Sequence, residues 1–515
     1  MSSFSTPAFP STVGQVLARS ARRVPGRTAL VFGSRRWTYA ELDAAAGRVA
    51  AGLLGLGLTP GDRVAALGKN SDAYLLLYLG CARAGLVHVP VNFNARGGEL
   101  VHLLTQSAPA ITFVDPVLAP EVDAIAAQLA GQRRGTLRDG DGDDVLAWAL
   151  DAEGPVHAER GVADDDLVQL LYTSGTTSRP KGAMMSHRAL VHEYVSCLLA
   201  LGLEEGDVAL HSLPLYHSAQ MHVFLMPALA VGAVNHLIEA PAVDEVFRHV
   251  EEEGVNAVFL PPTVWVGVAN HPQLGDRDLG GLRKAFYGAS IMPVPILQKL
   301  RATLPQVGFY NCFGQSEIGP LATVLGPDEH EDRPDSCGRP VFFVEVRVVD
   351  EAGEDASVGE ALYRSPQLCS GYWDMPEATA EAFTDGWFRS GDLVRIDDEG
   401  YLFVVDRIKD VINTGGVLVA SREVEEALYG HPAVAEVAVV GLPHERWIEA
   451  IAAVVVAKAP VTEADLIAFA KEHLAAHKVP KSVHLVQDLP KNPSGKLLKR
   501  ELRQELGGVT SAVGR

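Results

Sequence analysis

Along this chain the apolar positions switch repeatedly between a helical and a strand spacing. Thr38-Tyr39-Ala40-Glu41 has the form of a capping box, and a helical pattern follows to about Leu56. Arg63 to Leu67 reads as a strand, Asp72 to Ala84 as a helix, and Leu86 to Val91 as a strand. Leu167 to Tyr172 is an apolar run of buried-strand length. A strand pair is expected around Asp398-Glu399-Gly400. A compact unit follows, with helix Arg422 to Tyr429, strands Val434 to Val440 and Ile451 to Lys458, and helix Glu463 to His477. Ser421 and Thr462 are the expected N-caps, and Gly430 the expected stop of the first helix. This alternation predicts an α/β fold, with helices packed on largely parallel sheets. The polar stretch from Gly131 to Asp166 carries little signal. Its run Asp139-Gly140-Asp141-Gly142-Asp143-Asp144 lacks the later spacing and bidentate glutamate of a calcium loop, so a solvated acidic loop is expected. No internal repeat is visible, and the small residues from about Gly507 are expected to fray.

A length of 515 residues exceeds one small core and predicts two to four domains. Apolar and charged fractions of 47% and 21% suit a soluble globular protein. A formal charge of −20 argues against a general binder of nucleic acid or anionic membrane, while leaving room for local basic pockets. Cys81, Cys197, Cys312, Cys337 and Cys369 are scattered, odd in number and without metal spacing, which predicts structural thiols in a reducing compartment. The N-terminus lacks a basic region followed by an apolar core, and the most apolar stretch, Val223 to Val234, is too short to span a bilayer and contains Pro227. A cytoplasmic protein without a membrane span is expected.

The stretch after the apolar run is Thr173-Ser174-Gly175-Thr176-Thr177-Ser178-Arg179-Pro180-Lys181-Gly182. Such a turn can offer backbone N–H groups, hydroxyls and a cation to a polyphosphate. It is no Walker A loop, because Lys181 precedes Gly182 and Ala183 follows. Taken alone, it is equally an ordinary polar turn.

Four further motifs follow in order: Asn311-Cys312-Phe313-Gly314-Gln315-Ser316-Glu317, Trp387-Phe388-Arg389-Ser390-Gly391-Asp392, Asp406-Arg407-Ile408-Lys409-Asp410, and Pro490-Lys491-Asn492-Pro493-Ser494-Gly495-Lys496. With all five in sequence, the chain resembles the adenylate-forming superfamily of acyl-CoA synthetases, peptide-synthetase adenylation domains and luciferases, over nearly its whole length. The resemblance is to the acyl-CoA synthetase branch. It implies a large N-terminal domain of several subdomains over residues 1–408, and a small mobile C-terminal α/β domain over residues 409–515, hinged at Lys409. It also implies a reaction in which a carboxylate attacks the α-phosphate of ATP, giving an acyl-adenylate and pyrophosphate, before the acyl group passes to a thiol. Such chemistry is mostly positioning and countercharge.

The resemblance also implies residue roles. Lys496 contacts the carboxylate and α-phosphate, while Lys491 and Lys499 read as solvated surface lysines. Glu317 helps hold Mg²⁺, a task that one carboxylate shares well with phosphate oxygens and waters. Thr173, Ser174, Gly175, Thr176, Thr177 and Lys181 form the phosphate loop. Ser316 can reach a phosphate, Asn311, Phe313 and Gly314 belong to the same nucleotide motif, and Phe313 can stack on adenine or wall the acyl pocket. Asp392 takes the ribose hydroxyls, and Arg407 the ribose or phosphates. Tyr287-Gly288-Ala289-Ser290 resembles the loop along adenine. His217 matches a histidine near the acyl carboxylate, and Trp265, Val266, Met221 and Phe224 are candidate pocket walls. Gly415 and Gly416 match a pantetheine-lining loop and Trp447 a contact of the coenzyme A nucleotide. Val417-Leu418 and Ile448 depart from the usual residues there. The apolar stretches Tyr216–Met226 and Phe259–Val268 lack the aspartate that binds an α-amine, which predicts a hydrophobic medium-chain, long-chain or bulky acid. The expected ligands are ATP, Mg²⁺, coenzyme A and that acid. A separate acyl carrier protein is the alternative acceptor, the oligomeric state stays open with a homodimer among its forms, and a non-enzymatic sensor on the same fold is disfavoured by the joint presence of Lys496, Glu317, Asp392 and Arg407.

Overall fold

The computed structural model describes residues 11–129, 131–159, 161–173, 180–290, 292–491 and 497–510. Among them, four sheets carry the fold. A six-stranded sheet runs in the order Arg133–Thr136, Ile111–Val114, Arg63–Leu67, Val87–Val91, Leu167–Thr173, Lys181–Ser186. All its neighbours are parallel except the last pair, where Leu167–Thr173 and Lys181–Ser186 form an antiparallel ladder. A nine-stranded sheet is parallel from Thr28–Phe32 through Val234–Leu237, Val208–His211, Ala257–Phe259 and Lys284–Gly288 to Gly308–Phe313, with antiparallel strands at its edges. The helix Asp72–Ala84 is buried at every residue. A helix covered on all sides has no need of a polar face, which is why its sequence is nearly all apolar. Its one acidic residue, Asp72, is satisfied by Arg35 at 2.6 Å and by the Trp37 indole N–H at 3.0 Å.

Two antiparallel-rich sheets follow. The first joins Glu345–Val349, Val358–Arg364, Phe383–Thr384, Trp387–Ile396 and Leu402–Arg407. The second joins Ile412–Thr414, Val417–Val419, Val434–His444, Ile448–Ala457 and Ser482–Val486, with the helix Lys499–Thr510 placing Leu502 against Ala438 and Val440. The large N-terminal and smaller C-terminal α/β regions expected from the sequence are both present.

The capping box is formed: Thr38 accepts from the Glu41 amide, and Glu41 accepts from the Thr38 amide. Several expectations are corrected. The stretch from Gly131 to Asp166 holds the strand Arg133–Thr136 and the helix Val145–Leu150. Its acidic run is not merely solvated, because Asp144 is buried and caps that helix at the Ala147 amide, while Asp143 pairs with Arg133 at 3.0 Å. The helix from Glu463 ends at His473, since Leu474 is extended. Ser421 is the first residue inside its helix rather than the cap, and its amide and hydroxyl both donate to Asp406 of the preceding sheet. A carboxylate distant in sequence thus does the capping.

Candidate active site

A cleft of about 1990 Å³ opens where the strand ends of the two large sheets meet the third sheet and the C-terminal unit. Each wall comes from a different element. Thr173 ends one strand and Lys181 begins the next, so their antiparallel pairing sets the hydroxyl and the ammonium side by side. The parallel pairing of Gly288 with Cys312 brings two backbones so close that a Cβ on Gly288 would lie 2.2 Å from the Cys312 carbonyl oxygen. Only glycine fits there. Ala289 then takes a left-handed conformation, with φ +63°, as the chain turns along the cleft with Ser290. Gly314 is required for the same reason, since a Cβ there would meet the Pro320 carbonyl oxygen at 2.0 Å.

Beyond Gly314 a short turn, Ser316–Ile318, carries Glu317. Glu317 is buried at the cleft wall, and its Oε1 accepts from the Thr173 hydroxyl at 3.2 Å and the Tyr372 hydroxyl at 3.0 Å. Ser316 shares a hydroxyl–hydroxyl bond of 2.8 Å with Ser218, and His217 beside it accepts from the Ala219 amide through Nδ1. Asn311 donates to the Ser336 carbonyl and faces the cleft together with Phe313. On the third sheet, the cross-strand partners Asp392 and Arg407 form an ion pair of 2.7 Å, with the Asp392 residue only 2% exposed. Lys409 lies on the same wall.

The structure therefore gathers Thr173, Lys181, His217, Gly288, Ala289, Ser290, Asn311, Phe313, Gly314, Ser316, Glu317, Asp392 and Arg407 around one cavity. Ser174, Gly175, Thr176, Thr177 and Lys496 lie outside the described residues. Gly415, Gly416 and Trp447 come together, with the Gly415 amide donating to the Trp447 carbonyl at 2.6 Å, but away from the cleft lining. They occupy the other edge of the C-terminal sheet, where Val417, Leu418 and Ile448 are exposed. Of the candidate pocket walls, Phe224 and Val266 line the cleft. Met221 and Trp265 are core instead, and the Trp265 indole N–H donates to the Phe286 carbonyl.

Two lysines read from the sequence as solvated are corrected. Lys491 pairs with Glu436 at 2.6 Å, and Lys499 pairs with Glu425 at 2.7 Å in a largely buried cluster that includes Ser421. Burial alone would lower the Lys499 pKa, but the surrounding Glu425, Asp406 and Asp410 raise it, so it stays charged. Tyr372, Gln367 and Glu193 belong to none of the sequence motifs. Gln367 and Glu193 are separated from the Glu317 turn by long stretches of chain, and no local pattern marks them.

Among the described residues the cleft offers countercharge and hydroxyls, and no activated nucleophile. Burial pushes the Cys312 thiol well above its ordinary range, which leaves it protonated. Among the described residues, no three histidine, cysteine or acidic side chains converge as a metal cage. One buried carboxylate flanked by hydroxyls suits a Mg²⁺ ion whose remaining ligands are phosphate oxygens and water.

Residues 17–373 match the family model described as AMP-binding enzyme, and residues 423–496 match that of the AMP-binding enzyme C-terminal domain. A feruloyl-CoA synthase of Amycolatopsis sp is 39% identical over 500 residues, covering 96% of this chain and 99% of that protein. A long-chain-fatty-acid–CoA ligase, FadD13, of Mycobacterium tuberculosis is 34% identical over 500 residues, covering 96% and 98%. The ATP-bound crystal structure of MatB from Rhodopseudomonas palustris superposes with a TM-score of 0.87 at 32% identity, covering 96% of this chain and 99% of that one. The chain belongs to the AMP-binding enzyme family, in the acyl-CoA synthetase branch of the adenylate-forming superfamily, and is an acid–thiol ligase that uses ATP, Mg²⁺ and coenzyme A.

Proposed function

We propose that the enzyme activates a hydrophobic carboxylic acid as its adenylate and transfers the acyl group to coenzyme A. In the first step a carboxylate oxygen bonds to the α-phosphorus of ATP and pyrophosphate leaves. In the second the coenzyme A thiol gives up its proton, its sulfur bonds to the acyl carbon, and AMP leaves. Lys181 and the Thr173 hydroxyl face the phosphates, and Asp392 with Arg407 faces the ribose. Asn311, Phe313 and the Gly288–Ser290 turn border the base, while Ser316 and His217 stand between nucleotide and acid. Glu317 would hold Mg²⁺, which supplies positive charge against the departing pyrophosphate. Lys496 is assigned to the first step on its motif alone. The division is at Lys409, with residues 1–408 fixed and 409–515 turning to bring Gly415, Gly416 and Trp447 to the coenzyme for the second step. No helix among the described residues is long and apolar enough to cross a membrane. We place the enzyme in the cytoplasm.

The observation that carries the choice of acid is the apolar arm of the cleft beside His217. Val223, Phe224, Phe259, Pro262 and Val266 line it, and Phe224 stacks on Phe259 with ring centroids 4.3 Å apart. An arm so lined desolvates a hydrocarbon or aromatic tail and offers no charged partner for an α-amine. The names of the relatives, feruloyl and long-chain fatty acyl, fall within that class.

The test is incubation with ATP, Mg²⁺ and a panel of hydroxycinnamic, benzoic, fatty and amino acids, with and without coenzyme A, read by mass spectrometry. Acyl-CoA from hydrophobic acids is expected. Adenylate that never becomes acyl-CoA would redirect the acyl group to a carrier-protein thiol, and preference for an amino acid would overturn the reading of the arm. Lys496→Ala is expected to abolish adenylate formation while sparing thioester formation from supplied adenylate.

A further inference from the structure

Lys181 and Glu317 carry opposite charges on the same cleft wall, and both must reach out to the nucleotide if the assignment above holds. Opposite charges on one wall attract, and a pair formed between them would neutralise both. Tyr372 stands against both. Its hydroxyl donates to Glu317 Oε1 at 3.0 Å, and the Lys181 ammonium lies 5.0 Å from the centre of its ring. The contacts use opposite chemistries of one side chain. The negative face of the ring takes the cation, and the polar O–H takes the anion.

The backbone holds this ring in place. Residues 370–373 run as an extra strap along Lys181–Ser186. The Ser370 amide donates to the Met184 carbonyl at 2.9 Å, the Met184 amide to Gly371 at 2.9 Å, and the Trp373 amide to Gly182 at 2.8 Å. The Cys369 amide donates to the Glu317 carbonyl at 2.8 Å, so the same strap grips the turn that carries the carboxylate. The Tyr372 amide is itself tied to the Thr379 hydroxyl at 2.9 Å.

We infer that Tyr372 is a positioning residue, a spacer that keeps the phosphate-facing Lys181 and the magnesium-facing Glu317 apart and aimed into the cleft. This rests on the nucleotide assignment of those two residues. It predicts that the nucleotide side of the reaction, and not the acid side, depends on Tyr372.

The experiment compares Tyr372→Phe, which keeps the ring and removes the donor, with Tyr372→Leu, which removes both. Each is assayed by pyrophosphate release with a working acid, varying MgATP, free Mg²⁺ and acid separately, beside thermal unfolding. Tyr372→Phe is expected to raise KM for MgATP and the Mg²⁺ requirement about 3- to 10-fold, with KM for the acid unchanged. Tyr372→Leu should raise KM for MgATP further. In a Glu317→Gln background, the Tyr372→Phe effect should shrink to less than 2-fold, a coupling that a merely structural role would not produce. Lys181→Ala and Glu317→Gln serve as references. If both references raise KM for MgATP and Tyr372→Phe does not, or if Tyr372→Phe acts equally in both backgrounds, the spacer role is overturned alone. If neither reference moves KM for MgATP, the assignment beneath it falls and the inference falls with it.

Discussion

Replacing Gln367 with leucine should both destabilise the N-terminal region and weaken nucleotide binding. Gln367 is fully buried behind the Ser316–Ile318 turn. Its amide nitrogen faces Glu193 Oε2 at 2.6 Å, the Leu321 carbonyl at 2.8 Å and the Ile318 carbonyl at 2.9 Å, and its oxygen accepts from Ser196. Glu193 also receives the Leu321 amide at 2.9 Å. The side chain thus ties the back of the Glu317 turn to a buried carboxyl on the helix His187–Leu201. Burial holds the Glu193 pKa well above the usual carboxylate range, against the pull of the Leu321 amide and the Cys197 thiol. An amide nitrogen has two hydrogens, so two bonds are lost there, one to the Glu193 carboxyl and one to a carbonyl, and the bond accepted from Ser196 is lost with them. At about 0.5–1.5 kcal/mol for each of the three, leucine of similar volume should cost about 1.5–4.5 kcal/mol. For a cooperative unit of domain size, that lowers Tm by roughly 3 °C or more. Calorimetry reads the shift, and pyrophosphate release reads KM for MgATP, which should rise several-fold as the turn loosens. A Tm within about 1 °C of the parent together with an unchanged KM would refute the claim that this network holds the Glu317 turn.

Three other expectations follow from the same geometry. Lys499→Met strips the buried Glu425 of its cation. The loss of about 3–5 kcal/mol for breaking such a pair is capped at about 3.5 kcal/mol at pH 7, because Glu425 can take up a proton instead. Burial already raises the Glu425 pKa, so the variant's deficit should be smallest below pH 4.5 and grow as pH rises, and a deficit that shrinks toward alkaline pH in chemical unfolding would contradict this. Gly288→Ala must move a strand backbone by more than a side chain can absorb, so adenylation should fall at least 10-fold, and a normal rate would show that the two strands part easily. All five thiols are buried, with that of Cys337 pushed up to about 12 by its burial. At pH 8 a thiol reagent should therefore react rapidly with none of them in native protein and with all five after unfolding.

Local physics in the sequence determined the elements and the chemistry they carry. The capping box before Tyr39, the bounds of the helix Asp72–Ala84 and the strand from Leu167, read one residue short of its end at Thr173, were legible because caps and apolar periods act within a few residues. So were the motifs that converge on the cleft, since glycine at 288 and 314 and the charges at 181, 317, 392 and 407 stand out as residue types. Legibility ended where a residue's partner lies far along the chain. Lys499 looks like a solvated cation until the fold sets Glu425 against it, and Ser421 looks like a cap until Asp406 takes that office. Met221 and Trp265 share the apolar character of Phe224 and Val266, and only sheet packing decides which pair faces the cleft. Gln367 and Tyr372 are unremarkable in sequence because their roles are hydrogen bonds and a ring contact to residues brought near by crossovers between strands, and such contacts leave no period in the chain.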